Sequence, residues 1–257
     1  MDSLEEFFFE SSLDGGREPY LLWLPSGAPK ALVVGLHTWS ADRFNQTSAM
    51  LPFCRARNWA LLLPEFRGPN LTSNPRARDA GGSALARRDI VDATRQVLSA
   101  HFPEQTPVFL LGGSGGGHMS LLVAGREEFQ WSAISSWCPI TDLAAWHREN
   151  PNYAPHIAAV CGGVPGVSVE VDAEYRERSP LHYAAGLAGC RLLLAHGRQD
   201  QSVPYTHSWR LAQAIEECGP KAFYFYLFDG GHEAHLENAF HFFDETMAKQ
   251  AQEGLTG

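Results

Sequence analysis

The chain is 257 residues long, enough to bury a full core and still form one α/β domain. Apolar residues make up 44% and charged residues 19%, which excludes a disordered chain. A formal charge of −9 argues against nucleic acid or an anionic membrane as partner, and no apolar run approaches the roughly 18 residues that span a bilayer.

The N-terminus, Met1-Asp2-Ser3-Leu4-Glu5-Glu6, is acidic where a secretory leader is basic, so a cytoplasmic protein is expected. Phe7-Phe8-Phe9 and Tyr20-Leu21-Leu22-Trp23 flank the turn-forming Asp14-Gly15-Gly16, which predicts an opening hairpin. Ala31-Leu32-Val33-Val34-Gly35-Leu36 is a continuous apolar run, the pattern of a strand covered on both faces. His37-Thr38-Trp39 follows it. A second such run is Trp59-Ala60-Leu61-Leu62-Leu63. Ile90, Val91, Thr94, Val97 and Leu98 then share one face of a helix.

Val108-Phe109-Leu110-Leu111 is the next strand, and Gly112-Gly113-Ser114-Gly115-Gly116 follows it as G-x-S-x-G. A serine on a sharp strand-to-helix turn needs small neighbours, and the helix N-terminus directs free N–H groups at a reacting carbonyl. No Lys-Ser/Thr pair follows, so a phosphate-binding turn fits less well. Ala133-Ile134 begins another strand. Residues 139 to about 180, rich in proline and aromatic residues, are expected to form an insert that serves as lid or pocket wall.

Arg191-Leu192-Leu193-Leu194 is a further strand run, with His196 and Asp200 just beyond it. Leu211, Ile215 and Cys218 suggest a helix, Phe223 to Leu227 the last strand, and Asp229-Gly230-Gly231-His232 the loop after it. Leu236, Phe240, Phe243 and Met247 mark a final helix. Strands alternating with helices give a mainly parallel sheet with helices on both faces.

A serine hydroxyl becomes a nucleophile when a histidine takes its proton and a carboxylate orients that histidine. Ser114, Asp200 and His232 supply these groups on three successive loops. Asp229 shares the base's own loop and is the weaker acid candidate. His196 reads as structural. His235 and His241 lie in the last helix, where His232-x-x-His235 lacks a third metal ligand. Cys54, Cys138, Cys161, Cys190 and Cys218 show no C-x-x-C spacing and read as buried apolar thiols.

The Gly112–Gly116 elbow, Arg178-Ser179-Pro180-Leu181, His196-Gly197-x-x-Asp200-x-x-Val203-Pro204 and Gly231-His232 together resemble the catalytic domain of the prolyl-oligopeptidase superfamily. Dienelactone-hydrolase-like esterases share that scaffold but commonly carry cysteine where this chain has Ser114. The resemblance implies a three-layer α/β-hydrolase fold over residues 1–257 as a single domain. It also implies catalysis by Ser114, Asp200 and His232 with neither metal nor cofactor. The oxyanion donors it implies are the backbone N–H groups of Gly115 and Trp39, with Thr38, at the usual glycine, as the alternative.

Large oligopeptidases carry an N-terminal propeller that filters substrates, whereas about 30 residues precede the first core strand here. The expected substrate is therefore a carboxylic ester of a small molecule or carbohydrate. A small peptide is the alternative, and a non-catalytic hydrolase-fold binding protein, usually marked by loss of a triad member, stands third. Trp39, Trp137, Trp146 and Tyr153 are expected to line the substrate pocket, with His156 nearby, although aromatic residues also pack in cores. Arg67 and Arg148 are expected in solvent rather than on a carboxylate substrate. The patterning sets no oligomeric state.

Overall fold

The computed structural model describes residues 4–126 and 128–255. The opening hairpin is present as β1 (Glu5–Glu10) and β2 (Arg17–Trp23). It leads into β3 (Leu32–Leu36), β4 (Ala60–Pro64), β5 (Val108–Gly113), β6 (Ala133–Trp137), β7 (Arg191–Gly197) and β8 (Ala222–Phe228). These form one sheet in the order β1-β2-β4-β3-β5-β6-β7-β8. The pairs β1/β2 and β2/β4 are antiparallel, and every pairing from β4 to β8 is parallel.

The apolar runs are continuous because both faces are covered. Leu32, Val34 and Leu36 enter the core beneath α2 (Ala84–His101), α3 (Gly115–Gly125), α7 (Ala184–Ala188) and α8 (Thr206–Glu217). Val33, Leu61 and Leu111 enter the opposite core, packed by α1 (Thr47–Arg57) and α9 (Leu236–Leu255). Successive side chains of a strand alternate between faces, so one sequence run feeds two cores. The result is the three-layer α/β-hydrolase arrangement.

Local chemistry fixes the helix ends. Ser83 caps α2, its hydroxyl accepting from the Ala86 N–H. Asn58 ends α1 in the left-handed region at φ 57. On α8, Leu211 and Ile215 are buried as their spacing predicts, but Cys218 is the C-terminal cap and is exposed.

Residues 139–180 form more regular structure than their composition suggests. They hold α4 (Leu143–Glu149), α5 (Ala154–Cys161) and α6 (Val169–Glu177). Ile140, Leu143, Trp146, Ile157 and Tyr175 build a small core that takes in Trp39 and Val203. Arg67 differs from expectation: it is buried, bound bidentately by Asp14 at 2.7 and 2.9 Å and paired with Asp89. A guanidinium out of water needs such partners. Arg148 is exposed, as expected. Among the described residues no helix is long and apolar enough to cross a membrane.

Candidate active site

The carboxyl ends of the parallel strands bring the sequence-predicted residues together, as they do in open α/β sheets generally. Ser114 sits between β5 and α3 with φ 56 and ψ −120, a left-handed backbone that costs about 1–3 kcal/mol for a non-glycine residue. Its N–H donates to the Trp137 carbonyl at 2.8 Å, tying the strained turn to the end of β6.

Two glycines beside it are required by close approach. A Cβ on Gly115 would stand 2.3 Å from the Trp39 nitrogen, and one on Gly116 would stand 2.4 Å from the Leu36 carbonyl oxygen. The loop after β3 therefore lies directly on the first turn of α3. The Thr38 N–H donates to Asn45 Oδ1 at 3.3 Å. Among the described residues, neither the Trp39 nor the Gly115 N–H has a hydrogen-bond partner. Of the two sequence candidates after β3, the geometry thus favours Trp39 over Thr38 as a free donor.

Asp200, on the loop after β7, has a fully buried side chain. Its Oδ1 accepts from the Ser202 and Val203 N–H groups at 2.8 and 2.9 Å. Its Oδ2 lies 2.6 Å from His232 Nδ1 and 3.2 Å from His196 Nε2. Burial opposes charge here, but hydrogen bonds from His196, His232 and the Val203 N–H hold the carboxyl well below the usual carboxylate range. An ionised carboxylate only accepts, so His232 carries its proton on Nδ1 and presents Nε2 as a base.

His196 is structural, as read from the sequence. The Val203 carbonyl can only accept, so His196 Nε2–H donates to it at 2.9 Å while Ser208 Oγ donates to Nδ1 at 2.7 Å. Asp229 is 87% exposed and meets Arg198 instead of the imidazole. His235 packs on Phe228 and Trp137, and His241 is exposed beside Glu245.

Ser114 and His232 line one cleft of about 350 Å³, within the range of small-ligand sites. Thr38, Trp39, Trp137 and Tyr153 also line it, but Trp146 does not. Trp146 is buried behind the wall, edge-on to Trp39 at 5.1 Å and stacked on Tyr153 at 4.8 Å. Its indole N–H donates to the Ser202 carbonyl at 2.9 Å, so it braces the acid loop and does not face a ligand. His156 lies outside the lining too, its Nδ1 accepting from the Thr72 N–H.

Cys138, not singled out by sequence reasoning, follows β6 at φ 44 and lines the cleft. Its thiol donates to the Glu233 carbonyl at 3.3 Å, next to His232. Ligand atoms of Cys138, Asp200 and His232 lie within 4.8 Å of one another. Burial, with the Asp200 charge beside it, pushes the Cys138 thiol up to about 12, and the other two groups already satisfy each other.

Comparison with known proteins adds a family and a fold. A model described as the prolyl oligopeptidase family matches residues 77–250, more than half of the chain. The protein named Uncharacterized peptidase YtmA, from Bacillus subtilis (strain 168), is 27% identical over 131 residues, 51% of this chain and 49% of that protein. The acylaminoacyl peptidase of Pyrococcus horikoshii superposes with a TM-score of 0.70 at 16% identity, over 93% of this chain and 39% of that one. A puromycin-hydrolyzing peptidase of Mycobacterium tuberculosis gives 0.71 at 20% identity, over 89% and 36%. The chain thus spans about half the length of the curated relative and less than half of these solved chains.

Proposed function

The chain belongs to the prolyl oligopeptidase family, and on that premise we propose that it is a serine hydrolase that cuts amide bonds in small peptides. One observation carries the proposal: a buried, ionised Asp200 holds His232 at 2.6 Å in the same cleft as the strained Ser114.

In this reading Ser114 Oγ attacks the scissile carbonyl as His232 Nε2 takes its proton. The carbonyl π electrons move to oxygen, and the oxyanion accepts from the N–H groups of Gly115 and Trp39. Each such donor is worth about 3–4 kcal/mol of barrier in comparable sites. Collapse re-forms the carbonyl and breaks the C–N bond, and His232 returns the proton to the leaving amine. A water molecule then repeats the sequence on the acyl-serine and frees Ser114. Asp200 stays ionised throughout and stabilises the imidazolium.

Sequence patterns alone favour an ester of a small molecule or carbohydrate. The family match, and a relative whose name reads peptidase, support an amide instead. We take residues 139–180 as a pocket wall, since Tyr153 lines the cleft and Trp146 backs it. Kinetics on aminoacyl nitroanilides beside nitrophenyl and acetylated-sugar esters test the preference. The proposal expects anilide turnover that Ser114→Ala abolishes, whereas ester turnover with no anilide cleavage would return the reading to an esterase.

A further inference from the structure

The two edges of the sheet are unlike. The β1 edge carries Glu5, Glu6 and Glu10, and the Arg17 guanidinium lies over the Phe8 ring 4.1 Å from its centroid. Charges of this kind discourage another strand from docking. The β8 edge is paired with β7 on one side only, and Ala222-Phe223-Tyr224-Phe225-Tyr226-Leu227-Phe228 contains no charge at all. Alternate residues of such a strand turn N–H and C=O groups outward, a template for further pairing.

The side chains extend that template. Tyr224 and Tyr226 are 43% and 40% exposed, Tyr224 lying edge-on to Phe242 of α9. On the other face Trp209 of α8, 46% exposed, lies edge-on to Phe225. An apolar groove of about 360 Å³ runs there between α8 and the strand.

Charge identifies the occupant. Lys221 immediately precedes the apolar segment and Asp229 immediately follows it, both exposed. An antiparallel copy of the strand, placed on a two-fold axis at Phe225, sets Phe225 opposite itself and Tyr224 opposite Tyr226. The same register sets Lys221 opposite Asp229 at both ends. Sliding the strands by two residues in one direction leaves Lys221 opposite Leu227 and breaks both charge pairs. The contact that Asp229 makes with Arg198 is 3.5 Å and solvent-exposed, so it leaves the carboxylate accessible.

We infer that two copies of this chain associate by antiparallel pairing of β8, in the register Lys221–Asp229, to form a closed two-fold dimer with one continuous sheet. The interface is isologous, so it terminates at two copies and does not propagate a filament. Cross-strand aromatic pairs supply the contact, and the terminal ion pairs fix the register. This inference is independent of the catalytic reading.

Sedimentation velocity on the 257-residue chain, from about 1 to about 100 µM, tests it. A dimer is expected, and Lys221→Asp or Asp229→Lys should each raise its dissociation constant at least about tenfold by setting like charges opposite each other twice. The double variant Lys221→Asp/Asp229→Lys exchanges the charges and should restore the dimer. Tyr226→Lys, at an exposed position, should also dissociate it, with circular dichroism unchanged in every variant. A wild-type chain that stays monomeric would leave this edge to some other occupant and overturn the inference. So would a dimer indifferent to both single variants, or one that the exchanged pair fails to restore.

Discussion

Asp200 Oδ2 stands 2.6 Å from His232 Nδ1 while Asp200 Oδ1 is held by two backbone N–H groups. The carboxylate cannot turn away, so the imidazole has one tautomer available. Asp200→Asn would set an amide against Nδ1 and favour the wrong tautomer, lowering kcat by about 10⁴-fold with the fold intact. Steady-state kinetics with circular dichroism as control would check this. A loss below tenfold would mean that Asp200 does not orient the base.

The contact between Gly115 and Trp39 makes a second claim measurable. Gly115→Ala would drive a methyl into the Trp39 nitrogen, separating the two proposed oxyanion donors. The expected effect is a fall in kcat of about 10²-fold or more with KM little changed. Gly27→Ala, where nothing lies within 4 Å, is the matched control and should leave kcat as it is. Equal kinetics in the two variants would remove Trp39 and Gly115 from the oxyanion site.

Stability should fall in mild acid, for a reason remote from catalysis. His118 is completely buried, its Nε2–H bonded to the Arg178 carbonyl, and burial lowers its pKa to about 4, reinforced by the Arg178 and Arg87 charges. An unfolded histidine takes its proton near 6.5, so between that value and about 4 the unfolded chain binds more protons. Folding free energy is therefore fully retained above this window and is lost as pH falls through it, by about 2 kcal/mol between pH 7 and pH 5. Burial lowers His147 and His182 as well and acts in the same direction. Urea midpoints at the two pH values measure the difference, which His118→Gln should reduce. Equal or greater stability at pH 5 would contradict the assignment.

The thiols divide by exposure. Cys218 is exposed, whereas burial pushes the Cys138 and Cys161 thiols up to about 12 and that of Cys54 higher still. Thiolate is the reactive form, so an aromatic disulfide reagent at neutral pH should modify Cys218 promptly without loss of activity. Denaturant should expose all five cysteines. Rapid inactivation accompanied by modification of Cys138 would overturn this reading.

Much of the architecture is written in local pattern. Val33 and Val34 stand for a strand buried on both faces, and the glycines about Ser114 for a turn that tolerates no bulk. Asp200 and His232 are legible because each follows an apolar strand run. What escaped was set by distant partners. Arg67 looks solvated until Asp14 and Asp89 reach it across the fold. Trp146 looks like a pocket residue until Trp39 and Tyr153 cover it. Thr38 and Trp39 compete as donors until Asn45 engages the Thr38 N–H. Helix α1 carries Pro52 inside it and a weak apolar stripe, and Cys138 has no motif to announce it.

Active-site labelling tests the central claim most directly. A fluorophosphonate should attach to the native chain at one position, mapped to Ser114. Ser114→Ala should abolish the label, and His232→Ala should slow its attachment by orders of magnitude. A native chain that takes no label, or takes it at another serine, would contradict the account.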